Sequence, residues 1–574
     1  PVEEIAPYAN RPEGRIPGEA VKYATAWDFA GRGVPLLAES MDGRPIKLEG
    51  HEAFAGGGSD SFAQATLLDL YDIDRSRQVK FNGGSSSWED FETFCRTELS
   101  QVPSEKIAVV APPKSGRTFA RAKADFLKKF PKANWVNFEP VVLDNLVEAT
   151  QATFGAPMRP DHDWSKASCV LVLDGDPLGA DPDATCVSRG WAQRRDPDHP
   201  DGMSRVYSFE SILSLTGANV DERCDVPPAE MPKVAAAIEA ALDGKDWAGE
   251  FSEKVTKAIE HVVEDLKNSG SNSLVVAGID ASPEVQSAAY RMNSKLGSIG
   301  VCAFWRPLKN PPLASSMAAL MNRDIEAIVV LGGNPVYEFE GFSDFYQNIE
   351  HRIHLGLHED ETGAASSWHL CAAHWLEAWD DVENSDESVS LSQPLIQPLF
   401  GGRNSIEVLS ILTGEFFPAK TQVERSFEGT TAQWRTALHN GFIADTRKDP
   451  LAPSARSTRP HSQEITEDGW SLRFAPSPTM WDGRFANNGW MQELPDPITT
   501  LTWDNAVLMS PSSARELDVE DGDLVSIEIA GKVVTAAVLR APGIANRVLH
   551  LPPGGGREFG GRICAGAGFR FESL

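Results

Sequence analysis

The sequence predicts an α/β protein of several domains: doubly wound α/β domains, a small β-rich N-terminal cap and a C-terminal β-barrel. Three observations predict this. Short apolar runs bounded by turn residues recur, KIAVVA at 106–111, ASCVLVL at 167–173, SLVVAG at 273–278 and IEAIVVL at 325–331, each the signature of a strand buried on both faces. Helical patterns separate them, and strands alternating with helices indicate βαβ units. After 471 the pattern changes to alternating strands joined by Asp-Gly and Ala-Gly turns, as in a small barrel. The length of 574 residues suits about three to four domains.

Residues 1–50 carry short strand-like runs punctuated by Pro and Gly and form the cap. Asp42-Gly43 is hairpin-turn chemistry leading into a half-buried strand with Ile46 and Leu48 on one side, Lys47 and Glu49 on the other. The glycines at 56–58 then break regular structure. Ser61 with Gln64 is a capping-box pattern for a helix carrying Phe62, Ala65, Leu68 and Leu70, and 71–75 close it. Ser87 with Asp90 opens a second helix. The loop PPKSGRT at 112–118 is not a phosphate-binding P-loop, because Gly116 stands alone and follows Lys114-Ser115. It reads as a strand-to-helix connection, with Lys114 near a helix N-terminus that attracts anions.

The expected partition is 1–50 as cap, 51–145 with 270–421 as one α/β domain, 146–269 as a second, 422–470 as a polar, breaker-rich linker and 471–574 as the barrel. Doubly wound sheets bind ligands at the carboxyl ends of their strands, where DGDP (Asp174, Gly175) and GGNP (Gly332, Gly333, Asn334) stand. Gly554-Gly555-Gly556-Arg557 reads as a glycine hairpin or an anion contact.

Fifty-three Lys and Arg against 82 Asp and Glu give a net charge of −29, which excludes broad binding to nucleic acid or an anionic membrane. The charge serves solubility or an acidic docking face for basic cytochromes. No apolar run is long enough to span a bilayer. The chain opens at Pro1 without a signal peptide, which fits a processed N-terminus after export and equally a partial sequence. The seven cysteines, at 95, 169, 186, 224, 302, 371 and 564, include no CxxC spacing and read as core residues. Histidines gather at 351, 354, 358, 369 and 374 without a zinc or heme motif, so they read as structural.

The strand of 43–50 and the end LYDIDR at 70–75 resemble the N-terminal region of the molybdopterin oxidoreductase superfamily. The wording SDSFAQATLLDLYDIDRS at 59–76, RVYSFES with LTGA at 205–218, and HWLEAWDD with QPLIQPL at 374–399 is most similar to the molybdopterin-oxidoreductase-like iron–sulfur subunit of bacterial alternative complex III, a quinol-oxidising membrane complex. The resemblance runs over nearly the whole chain. It implies a pterin cleft between the α/β domains, with Asp174, Gly175, Gly332, Gly333, Asn334 and His374 as vestigial cleft positions, closed by the C-terminal barrel.

Relatives with catalytic activity place the last cluster cysteine and a lysine about eleven and nine residues before the tyrosine; here those positions hold Asp60 and Phe62. No residue stands out as a molybdenum ligand. The resemblance therefore implies a cofactor-less N-terminal part of that subunit, with no catalytic or metal-ligating residue of its own. Its expected partners are a ferredoxin-like iron–sulfur subunit or domain, multiheme cytochrome c subunits and integral membrane quinol-binding subunits, which carry the iron–sulfur clusters and hemes. The expected place is the periplasmic side of the inner membrane, held there by those partners. The alternative is an active molybdenum or tungsten bis-pterin enzyme whose cluster lies on a partner chain.

Overall fold

The structure, a computed structural model, describes residues 16, 18–54, 57–179, 181–247, 249, 251–456 and 469–573. The cap is an antiparallel sheet of Val21–Phe29, Arg32–Met41 and Arg44–Gly50. Its first hairpin turns at Ala30-Gly31 and its second at Asp42-Gly43, all four residues with positive φ, the geometry of the turns that match strand twist. The earlier residues of the expected cap, 1–15, lie outside the described residues.

The larger sheet has seven strands in the order Gly84–Ser85, Lys80–Phe81, Trp368–Cys371, His351–Gly356, Ala327–Val330, Ile107–Ala111, Asn134–Asn137. The last five run parallel, and the two short strands form an antiparallel edge. Ile107–Ala111 is buried throughout. Val109 and Ala111 pack with Phe91, Phe119, Phe126 and Leu409, whereas Ala108 and Val110 pack with Met317, Leu320, Phe342 and Tyr346. Alternate side chains thus enter different helical layers, which is why the strand is apolar at every position.

The second sheet is parallel, in the order Glu222–Asp225, Arg205–Glu210, Cys169–Leu173, Ser273–Ala277. Its core includes Leu146, Val234, Ile238, Val262 and Val285 from the covering helices. Ser273–Ala277 therefore belongs with Cys169–Leu173 and not with the strand of 107–111, contrary to the expected start of the returning segment at 270. A fully buried strand reads alike whichever sheet receives it, so the apolar run alone does not assign its neighbour.

Two further expectations are corrected. The C-terminal region forms an open five-stranded sheet, Ser471–Arg473, Val548–His550, Val507–Met509, Lys532–Arg540, Leu524–Ile529. Among the described residues its two edge strands are not paired, so it is half a barrel; three of its strands are three residues long, too short to wrap into a closed cylinder. The segment expected as a linker from 422 instead carries the end of helix Ala419–Ser426, the helix Thr431–Asn440, which opens with a Thr430/Gln433 capping box, and the strand Phe442–Ile443. Polar surface residues disguised these helices, whose buried side consists of little more than Gln422, Val423 and Ala437. Residues 457–468 of that segment lie outside the described residues.

Candidate functional site

Two cavities open at the carboxyl ends of the two parallel sheets. The first, of about 490 Å³, is lined by Asp174-Gly175 after Cys169–Leu173, by residues 212–215 after Arg205–Glu210 and by residues 278–280 after Ser273–Ala277. The second, of about 410 Å³, is lined by residues 112–114 after Ile107–Ala111, by Gly332, Gly333 and Asn334 after Ala327–Val330, and by residues 354–358 at the end of His351–Gly356. Ala30, Gly31, Pro113, Lys114 and Glu139 line both, so the cavities meet at a neck. Gly31 is confined there: its φ is +77°, and a Cβ would stand 2.9 Å from the Pro113 carbonyl oxygen.

Of the sequence-derived cleft positions, Asp174 and Gly175 line the first cavity and Gly332, Gly333 and Asn334 the second. Asp174 accepts hydrogen bonds from Ser211 N (2.9 Å) and Oγ (2.8 Å). Gly175 packs on Gly278, where a Cβ would meet backbone at 2.7 Å. Asn334 is buried; its amide donates to Glu361 Oε2 (2.6 Å) and its oxygen accepts from Thr362 N (2.9 Å). His374 lines neither cavity. It is buried and caps the turn Trp375–Glu377, its Nδ1 accepting from Leu376 N, and burial with nearby Arg75 holds its pKa well below the usual range. In the 554–557 turn Gly554 N donates to Glu572 Oε1 (2.6 Å), and the Arg557 side chain is buried against Glu361 (Nη2 to Oε2, 2.9 Å) and lies over the Tyr337 ring.

The gathered histidines form local pairs. His354 and His369, on adjacent strands in register, place their Nδ1 atoms 3.3 Å apart, and Ser76 Oγ lies 2.5 Å from His369 Nε2. Burial, reinforced by His354, pushes His369 down to about 2. His358 Nε2 is 2.8 Å from Asp72 Oδ2. Among the described residues, no group of three or more His, Cys, Asp or Glu is placed to hold a metal ion. All seven cysteines are free, six of them buried, and burial pushes the thiols of Cys95 and Cys169 up to about 12.

The neck is the part that sequence reasoning missed. Lys114 Nζ lies 3.8 Å from Asp28 Oδ2 and 3.8 Å from Asp380 Oδ2. Arg484 bridges Asp482 (2.5 Å) and Glu139. Glu338 completes the group and accepts from Asn334 N (3.0 Å). Burial lifts Asp28 to about 6 against the pull of Lys114, and Glu139 to about 7 against Arg484. Burial and the Asp482 charge carry Glu338 well above the carboxylate range. These residues come from the cap, two loops, the helix Pro335–Glu338, the strand Asp380–Glu383 and the segment after Ser471–Arg473, and no local spacing signals their meeting.

The positions that the resemblance assigns to an iron–sulfur cluster do not fit one. Asp60 is the N-cap of the helix Ser61–Leu70, its Oδ1 accepting from Ala63 N at 2.7 Å, so it rather than Ser61 starts the helix. Gln64, expected as the box partner, donates to Ser59 Oγ at 2.8 Å. Phe62 stacks on Phe485, with ring centroids 5.1 Å apart, and on Phe29 at 5.7 Å. A carboxylate held by the backbone and a ring in an aromatic core stand where the resemblance expects a thiolate and an ammonium. A bis-pterin metal centre, a polyanion, is matched no better by the neck between the cavities, where Asp28, Glu139, Glu338, Asp380 and Asp482 outnumber Lys114 and Arg484.

No family model matches the chain, and no curated protein does. Acetylene hydratase from Pelobacter acetylenicus is similar in structure, with a TM-score of 0.67 at 10% sequence identity, over 93% of this chain and 93% of that one. The chain shares the fold of that hydratase. At that identity the likeness extends to the fold alone. No helix among the described residues is long and apolar enough to cross a membrane.

Proposed function

We propose that this chain is a non-catalytic structural subunit of a quinol:electron-acceptor oxidoreductase complex of the alternative complex III kind. In this reading an oxidoreductase fold is retained without molybdenum cofactor or iron–sulfur cluster, and serves to hold partners. The observation that carries it is the chemistry of positions 60 and 62. A two-electron metal centre needs an electron exit, and here the exit's first position is a helix cap and its third a core phenylalanine. The excess of carboxylates at the neck supports the same reading.

The partners would be a ferredoxin-like iron–sulfur subunit, multiheme cytochromes c and membrane quinol-binding subunits, on the periplasmic face of the inner membrane. The net charge of −29 suits docking of basic cytochromes. The test is metal and pterin analysis of the protein purified with its partners. Less than a tenth of an equivalent of molybdenum, tungsten or pterin in this chain, with co-purifying heme subunits, is expected. One metal with two pterins per chain would establish the active bis-pterin enzyme instead.

A further inference from the structure

The charge around the cavities points in an unexpected direction. A pterin dinucleotide is a polyanion, yet the first cavity is lined by nine Asp and Glu against six Lys and Arg. The second is lined by five against three. The excess concentrates at the neck, where five carboxylates, Asp28, Glu139, Glu338, Asp380 and Asp482, share two cations, Lys114 and Arg484.

One of those carboxylates is unsatisfied. Asp28 has a side chain 8% exposed, and its Oδ2 accepts no hydrogen bond. Lys114 at 3.8 Å is too far to supply one. A buried acceptor without a donor is costly, and a ligand that brings both a donor and a positive charge removes the deficit. The walls on either side are apolar and aromatic, Met480 and Trp481 in the first cavity, Trp27 and Trp375 in the second. Such faces receive alkyl chains and ammonium groups.

We propose that the neck binds an organic ammonium ligand, a linear di- or polyamine, with one ammonium group donating to Asp28 and the alkyl chain extending into the two cavities. The carboxyls of Glu139 and Glu338, held partly protonated by burial, become the counter-charges as the ammonium enters. A divalent metal ion is a poorer match, since no group of three ligating side chains is assembled there among the described residues. The site is independent of whether the chain scaffolds a complex.

The test is calorimetric titration of the whole chain with spermidine and with cadaverine, at pH 7.5 in 150 mM salt so that diffuse attraction to the acidic surface is screened. One saturable site is expected, weakened at least tenfold by Asp28→Asn and by Glu338→Gln. Asp324→Asn, which changes a carboxylate 82% exposed at the surface, is expected to leave it unchanged. Circular dichroism of each variant establishes that it is folded, and Glu338→Gln decides if Asp28→Asn is not. Absence of saturable binding, equal affinity in the folded neck variants, tighter binding of guanosine diphosphate, or displacement by equimolar magnesium would each overturn the proposal.

Discussion

Replacing Arg75 by Met is expected to destabilise the protein by about 3–5 kcal/mol, the cost of breaking a buried ion pair from one side. Arg75 ends the LYDIDR segment and Glu377 lies in the HWLE segment, and the two side chains are 1% and 0% exposed. Arg75 Nη2 donates to Glu377 Oε2 at 2.6 Å and Nη1 to Oε1 at 3.1 Å, while Nη1 also donates to Leu70 O at 2.8 Å. Without the guanidinium, Glu377 keeps only the backbone donors His374 N (2.9 Å) and Leu399 N (3.0 Å). Two neutral amides do not compensate a buried charge, so the penalty is that of an orphaned carboxylate, whereas the pair itself is worth far less. Arg75→Met with Glu377→Met should therefore recover most of the loss. Urea unfolding followed by tryptophan fluorescence, on both single variants and the double, gives a coupling energy of about 2–4 kcal/mol in this account. A loss under about 1 kcal/mol in Arg75→Met, or additive single effects, would refute it.

Phe62→Lys should cost about 4 kcal/mol or more, because it removes a buried ring and buries a charge; a thermal melt reads the loss. Gly116→Ala should cost about 2 kcal/mol, since a Cβ would stand 2.0 Å from the Asp381 carbonyl oxygen at the start of the helix Arg117–Lys129; the urea midpoint checks it. Asp28 has a folded pKa raised from 3.8 to about 6 by burial. Its contribution is full below 3.8 and is lost as pH rises through about 6, by at most about 3 kcal/mol. Asp28→Asn should accordingly flatten the fall in stability between about pH 4 and pH 7, measured by urea unfolding at both.

The four buried strands were legible because burial on both faces demands apolar residues at every position, as Val109 and Val110 show by packing into different layers. Their sheet membership was not legible, because Ser273–Ala277 carries nothing local to distinguish the partner it pairs with. Loops after those strands reach the cavities, so Asp174, Gly175, Gly332, Gly333 and Asn334 follow from topology plus short motifs. His374 did not follow, since a conspicuous imidazole serves a buried cap just as well. The neck stayed hidden for a different reason. Asp28, Lys114, Glu139, Asp380 and Arg484 are ordinary charged residues in sequence, and only the tertiary fold makes them neighbours in a buried place.

That distinction bears on what the fold retains. Glycines allow close backbone approaches beside the space of the two cavities, Gly175 on Gly278 within the second sheet and Gly31 of the cap on Pro113, without side chains that would fill it. Around that space Arg473 pairs with Asp280 at 2.9 Å and Arg557 with Glu361, so most cations near the cavities already have carboxylate partners. What is left over is negative charge, at Asp28, Glu139 and Glu338, paid for by raised proton affinity. A polyanionic cofactor would deepen that imbalance and a cation would relieve it. Open space lined by an excess of carboxylates makes a cation the first ligand to try.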